Sequence, residues 1–395
     1  MRTERISMLL FLLISGCTSK TNDFKPIVND KNAVTIELYN NKANFNLGVN
    51  KMSVFTDSVK FIILEETDES TINKINKIFF TQEQIIVVDR DHRGLGAIFF
   101  FDWSGKYIKK LSRRGQGPGE YISLHSCLID EQRQQLIIYD IITKKMLFYD
   151  LSGNFIKEIL NFSEGTIVRN VINLPDGHFL CYTFDCVGSV EAKYTGLWEV
   201  DANGEFLNNY FTYDFILPAL HGNSSHLQLL SNEVIGLRDQ IHSDIYHYHN
   251  KAVEKYISYD IKGSKLSQTI GTTFTDNHNI YANSYQEKGD YIITLWCDET
   301  FPRSQTLFSL FSKKNKEVFY WDAFYSYDTT IPGVMSWMLD SNSPEIIVCE
   351  LNRIIIDEHL ADKNLPEVAR NALSLLSEKI CESENPVLEL LYIKK

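Results

Sequence analysis

The sequence predicts an all-β protein: a six-bladed β-propeller closed by an N-terminal strand, with one C-terminal helical insertion. Three observations carry this. A strand-turn-strand unit recurs at near-constant spacing. The chain end supplies a last sheet that is one strand short. An apolar run near residue 60 precedes the first repeat and has no partner within it.

The repeat reads IFFFDWSGKYIKKL at 98–111, MLFYDLSGNFIKEI at 146–159 and LWEVDANGEFLNNY at 197–210. Each apolar run leads into Asp-x-x-Gly, then an aromatic or aliphatic pair. The aspartates are Asp102, Asp150 and Asp201, 48 and 51 residues apart, and Gly105, Gly153 and Gly204 keep that spacing. Asp at the first turn position caps backbone amides with its carboxylate, and Gly at the fourth takes a positive φ without penalty. Each unit is therefore an outer hairpin. Upstream lie second strands at Ile85–Asp89, Leu136–Asp140 and Phe179–Thr183. Before those come Ile75–Phe80, Cys127–Asp130 and Val168–Asn173, which makes four strands per unit.

The second half repeats less cleanly. Val234–Arg238, Ile245–Tyr248 and Val253–Ile257 fit a fourth unit with a shorter turn at Asn250. Tyr291–Trp296, Thr306–Phe311 and Val318–Trp321 fit a fifth, where Ser312 and Asn315 stand in place of Asp and Gly; Asn tolerates positive φ. Gly333–Leu339 and Ile346–Leu351 begin a sixth, whose third strand is Val387–Ile393. Between the last two strands, Val368, Ala369, Ala372, Leu376 and Ile380 recur at helical steps behind Pro366, so a helix is expected over about 366–381. Val59–Leu64 then becomes the outer strand of blade six and closes the ring.

The N-terminus reads as an export signal over residues 1–16. Arg2 and Arg5 precede a short apolar run that ends in Ile14-Ser15-Gly16-Cys17, and spanning a bilayer takes about 20 apolar residues. Small residues before a cysteine are what signal cleavage and lipid attachment require, so Cys17 is the expected lipidation site. Residues 17–53 are a tether and lead-in, and 54–395 form the propeller. Thr18 after the cysteine favours the outer membrane, so a cell-envelope location with the lipid as sole membrane contact is expected. The chain has 395 residues with 39 Lys+Arg, 51 Asp+Glu and a net charge of −12, which argues against nucleic acid as a partner.

A distinctive segment, RRGQGPGEY at residues 113–121, follows the outer strand of blade one. With Asp57-Ser58-Val59 at the start and Asn385-Pro386-Val387-Leu388 at the end, it is similar to the six-bladed β-propeller lipoproteins of gut-type anaerobic bacteria, relatives of NHL-type propellers. The resemblance implies the fold and little about activity.

Chemical motifs are sparse. Residues 113–121 lack the strand-loop-helix context of a phosphate cradle. His242, Asp244, His247 and His249 cluster, yet a third ligand at a known spacing is missing, so no metal or cofactor is expected. No Gly-x-Ser-x-Gly or His-Glu-x-x-His occurs. The cysteines after Cys17 form no CxxC, and Cys181 with Cys186 is the one pairing a hairpin end would allow. In a propeller, loops joining second to third strands and blade to blade open on one face. They gather Arg113, Arg114, Glu120, Tyr121, Arg238, Asp298, Arg303 and Arg353 as candidate binding residues, beside Asp89 and Asp140. The expected role is a binding or scaffold module for a peptide, glycan or protein. The alternatives are a propeller lyase or hydrolase acting on sugars or lactones, or an accessory subunit of a nutrient-uptake system.

Overall fold

The computed structural model describes residues 33–38, 52–165, 167–183, 194, 196–212, 227–231, 233–239, 244–261, 280–298, 305–322, 327–380 and 383–395. After β1 (Val34–Leu38) and β2 (Thr56–Ile63), the strands fall into successive antiparallel sheets. Blade one is β3 (Ile75–Phe80), β4 (Ile85–Arg90), β5 (Gly96–Phe101) and β6 (Tyr107–Leu111). Blade two is β7 (Ser126–Asp130), β8 (Gln135–Asp140), β9 (Lys145–Asp150) and β10 (Phe155–Ile159). Blade three is β11 (Asn170–Asn173), β12 (Phe179–Thr183), β13 (Gly196–Val200) and β14 (Phe206–Phe211). Blade four is β15 (Leu227–Leu229), β16 (Ile235–Arg238), β17 (Ile245–His249) and β18 (Ala252–Ile261). Blade five is β19 (Ile280–Lys288), β20 (Tyr291–Asp298), β21 (Gln305–Ser312) and β22 (Val318–Asp322).

Blade six is β23 (Trp337–Ser341), β24 (Ile346–Leu351) and, after helices α1 (Arg353–Ala361) and α2 (Glu367–Lys379), β25 (Val387–Ile393). Its fourth strand is β2, paired with β25 from Thr56↔Ile393 to Ile63↔Val387. The N-terminal strand thus closes the ring. The innermost strands of blades six and one also touch, through Asp340↔Lys77 and Ser341↔Ile78. There Lys77 Nζ lies 3.2 Å from Asp340. The Asn342 amide accepts from Phe80 N at 2.8 Å and donates to Phe80 O at 3.0 Å.

The apolar runs are nearly continuous because each sheet is covered on both faces. In β5, Ile98 and Phe100 pack against blade two, while Ala97, Phe99 and Phe101 pack against blade six. Alternation along a strand therefore sorts residues between two neighbours rather than between core and water. Six such interblade clusters make the ring, and a seventh lies beneath the helices.

The Asp-x-x-Gly turns form as expected. Asp102, Asp150 and Asp201 each accept the amide two or four residues ahead, and Gly105, Gly153 and Gly204 have φ of 89°, 79° and 85°. In blade four the short turn places Asn250 and Lys251 at φ 49° and 59°. Blade five differs from expectation: the positive φ of 59° falls on Lys316, not Asn315. That turn is one residue longer, closed by Lys316 N to Ser312 O at 2.8 Å.

The helical insertion holds two helices rather than one. Asn352 caps α1 by accepting Ile355 N at 2.9 Å. Its Ile354-Ile355-Ile356 run resembles a strand in sequence, and local β-propensity yields here to the cap and to burial of Ile356. Residues 34–38, within the expected lead-in, form a strand parallel to β18 at the outer edge of blade four, from Val34↔Ile257 to Leu38↔Ile261. Residues 1–32, with Cys17, lie outside the described residues. Among the described residues no helix is long and apolar enough to cross a membrane. Cys127, Cys181 and Cys349 are buried free thiols whose pKa burial pushes up; Cys186 lies outside the described residues.

Candidate functional site

Most of the mouth's charged groups serve the scaffold. Asp89 is buried, with Oδ1 accepting Lys74 N at 2.9 Å and Oδ2 accepting the Asn73 amide and side chain at 3.2 and 3.1 Å. Asp140 is fully buried; it accepts Ile122 N at 2.8 Å, Ile142 N at 2.9 Å and the Thr143 hydroxyl at 2.8 Å. Carboxylates at the ends of second strands thus satisfy the amides of the incoming crossover and of the next turn. Arg238 is 2 % exposed and donates to Ala282 O across the junction of blades four and five. Arg353 opens α1 and pairs with Asp357 at 2.9 Å, one helical turn on. Asp298 ends β20, and Arg303 lies outside the described residues.

The Arg113–Tyr121 segment is a rigid crossover. Tyr121 N donates to Arg113 O at 2.9 Å, and Gly115 N to Tyr121 O at 3.0 Å. Glu120 folds inward to accept Gly117 N at 2.9 Å. Tyr121 is buried against blades one and two, donates to Leu111 O at 3.3 Å, and burial pushes its phenol pKa up. Gly119 (φ 68°) lies so close to the Phe155 ring that a Cβ would approach it to 2.7 Å. Tyr149 Oη donates to Gly119 O at 2.9 Å, and Lys145 Nζ to Gln116 O at 3.1 Å. Glu120 and Tyr121 are therefore spent internally. Arg113 and Arg114 stay exposed, and neither forms an ion pair among the described residues.

The repeat exposes what is special here. The chain leaving an outer strand normally latches onto the Asp-x-x-Gly turn of the next blade. At the junction of blades six and one, Glu65 N donates to Gly105 O at 2.8 Å; at that of blades two and three, Ser163 N donates to Gly204 O at 3.0 Å. A Cβ on Gly105 would lie 2.0 Å from Ile63 O, and one on Gly204 2.9 Å from the Phe162 ring. Between blades one and two, Gly153 has no such latch among the described residues, and a Cβ there would meet none of them within 4 Å. The gap is a cleft of about 290 Å³ over the Phe100 ring, lined by Lys109, Ser112, Arg113, Ser152, Gly153 and Asn154. Lys109 Nζ sits 4.5 Å above that ring and 3.0 Å from Leu151 O. Burial lowers its pKa, and Asp150 pulls it back up. Among the described residues no carboxylate lines the cleft itself, and Asp150 lies behind it, accepting the Asn154 amide and side chain at 2.8 and 2.9 Å. The structure thus brings only Arg113 of the expected mouth group into it. Lys109, Ser152 and Asn154 carry no sequence signal, since each sits in an ordinary outer strand or turn.

Two further constellations lie outside the cleft. His247, from the His-rich segment, bonds the buried Glu287 at 2.8 Å, with Lys313 3.6 Å from the same carboxylate; His249 is 3.5 Å from Glu233, and Asp244 is 3.0 Å from Lys255. His242 lies outside the described residues. In blade three, His178 Nδ1 meets Glu199 at 2.8 Å and Asp176 at 3.4 Å.

Residues 34–392 match the family described as a domain of unknown function, DUF4934. Among solved structures, the chain is similar to an exported protein of Bacteroides fragilis, at 16 % identity and a TM-score of 0.70, over 92 % of this chain and 100 % of that one. It is also similar to a DUF4221 family member from Bacteroides vulgatus, at 10 % identity and a TM-score of 0.49, over 86 % and 97 %. Identity this low speaks to fold alone. No curated protein matches the chain.

Proposed function

The chain belongs to the DUF4934 family, and from that premise we propose that it is an envelope-anchored propeller that binds an anionic ligand in the cleft between blades one and two. The observation that carries this is the missing latch at Gly153, which leaves Arg113 and Lys109 facing a cavity with no lining carboxylate among the described residues, on a chain of net charge −12. Arg presents a planar, bidentate donor to carboxylate or phosphate, and the hydrogen-bonded crossover fixes its backbone beside the cleft. The cavity suits a single charged group, such as a uronic acid unit of a glycan or an acidic side chain of a peptide. At the mouth, Asp89 and Asp140 accept backbone amides, which supports binding over acid-base chemistry.

Arg113→Ala tests the site with a fluorescent oligogalacturonide and an acidic peptide as probes, read by polarisation. The loss of a charged hydrogen bond removes about 1.5–3 kcal/mol, or roughly 10- to 100-fold in affinity, with the melting temperature unchanged because Arg113 is exposed. Unchanged affinity for both probes, or a fall in melting temperature alone, overturns the assignment.

The lipobox ending at Cys17 supports anchoring by lipid. Cys17→Ala is expected to move the protein from the detergent-extracted membrane fraction to the soluble or uncleaved one. A variant that still partitions like wild type removes the anchor from the reading.

A further inference from the structure

The geometry points to a divalent metal site of the zinc class, made by Asp176, His178 and Glu199, outside the cleft. Their ligand atoms lie within 4.8 Å of one another, the only such trio among the described residues. One imidazole nitrogen faces two carboxylates, with His178 Nδ1 2.8 Å from Glu199 Oε1 and 3.4 Å from Asp176 Oδ2. A nitrogen has one proton or one lone pair to offer and serves one of those oxygens well. A cation between the three serves all of them, and His with carboxylate oxygens is a donor set that zinc accepts.

Both carboxylate ligands are held by their other oxygen, as metal ligands are. Asp176 Oδ1 accepts His178 N at 3.1 Å across the turn at Gly177 (φ 90°), which leaves Oδ2 to the site. Glu199 is 1 % exposed on β13, and its Oε2 accepts the Tyr210 hydroxyl, itself 3.1 Å from the Tyr248 hydroxyl; Oε1 is left to the site. The solvent side is open: the Asp176 side chain is 46 % exposed and that of His178 27 %. That leaves positions for water or a ligand.

Lys251 is the competing cation. Its Nζ lies 3.5 Å from Glu199 Oε1, and its side chain is 61 % exposed, so it is free to swing away. Arg133 is also near, but it is committed to Asp130 at 2.7 Å and to Pro175 O at 3.2 Å. This competition separates a metal site from a plain His-carboxylate contact. In a plain contact, removing Lys251 has no consequence for metal.

The test is calorimetric titration of the chelator-treated full chain with Zn²⁺ alone, and with Co²⁺ alone for its visible absorption. One ion per chain is expected, with affinity at least tenfold weaker in Asp176→Asn and His178→Ala and tighter in Lys251→Ala. Zn²⁺ should raise the melting temperature of wild type and not of Asp176→Asn, whose metal-free melt should match wild type because the residue is exposed. Absence of one-to-one binding at micromolar concentration, binding unaltered in Asp176→Asn and His178→Ala, or no gain in Lys251→Ala overturns the site.

Discussion

Deletion of Thr56–Ile63 is expected to abolish the cooperative melt and leave an aggregating chain. This strand supplies the full outer ladder of blade six, seven Cα pairs with β25 from Thr56↔Ile393 to Ile63↔Val387. Ile62, with Leu64 just beyond the strand, is buried in the cluster shared by blades six and one. Each such side chain contributes about 1.5–3 kcal/mol by burial, and a domain stands only about 5–15 kcal/mol above its unfolded state. The strand also leads into the segment fixed by Asn385. That amide accepts Ile72 N at 2.8 Å and donates to Glu65 O at 3.0 Å and Ser70 O at 2.9 Å, the first and last of these buried. Removing the strand exposes β25 as a long apolar edge, the geometry that invites pairing with other chains. Circular dichroism melts and size-exclusion chromatography check this; a truncated protein that melts like wild type would place the strand outside the ring.

Glu389 should make the protein less stable as pH rises. The residue lies on β25, fully buried; Oε1 accepts Val334 N at 2.7 Å, and Oε2 has no hydrogen-bond partner. Burial pushes its pKa up from 4.5 to about 7 against the pull of the Val334 and Met335 amides. The folded protein therefore holds this proton more tightly than the unfolded chain. Its stabilising contribution is complete below about pH 4.5 and is lost as pH rises through about 7. At about 1.4 kcal/mol per pH unit between about 4.5 and 7, the loss is about 3.5 kcal/mol at most. Glu389→Gln keeps the carbonyl acceptor and removes the titration. The difference in unfolding free energy between variant and wild type should grow from pH 5 to pH 8 in favour of the variant. A difference independent of pH would show that the carboxyl does not titrate there.

What the sequence made legible was whatever repeated. Asp102, Asp150 and Asp201 mark three outer hairpins because one turn chemistry was used three times, and the strands around them follow by alternation. The first strands of blades four and five, Leu227–Leu229 and Ile280–Lys288, are harder to read. One is only three residues long, and the other carries polar residues at buried positions such as Gln286, Glu287 and Lys288. Several of those polar groups reach partners in neighbouring blades, as where Gln286 donates to Leu339 O at 2.8 Å, and a single chain segment cannot announce a partner 53 residues away. The residues of the proposed binding site were legible as residue types but not as a place. Arg113 was singled out by charge. The cleft depends on a hydrogen bond that is missing at one junction and present at two others. Glu199 and Tyr210 gave no signal, because a carboxylate and a phenol in outer strands read as solvent-facing until the adjoining blade covers them.

The short strand at Val34–Leu38 changes how the molecule would carry mechanical load. Tension arriving from the N-terminal side meets five pairings with Ile257–Ile261 before it reaches Thr56 and the strand that locks the ring. A pull along the strand axis loads those pairings together in shear. A pull away from the edge peels them in turn from Val34. In both cases the first thing to yield is a detachable strap on blade four rather than the closure of blade six, and the strap is free to re-form when the tension drops. It works like the strain relief on a cable.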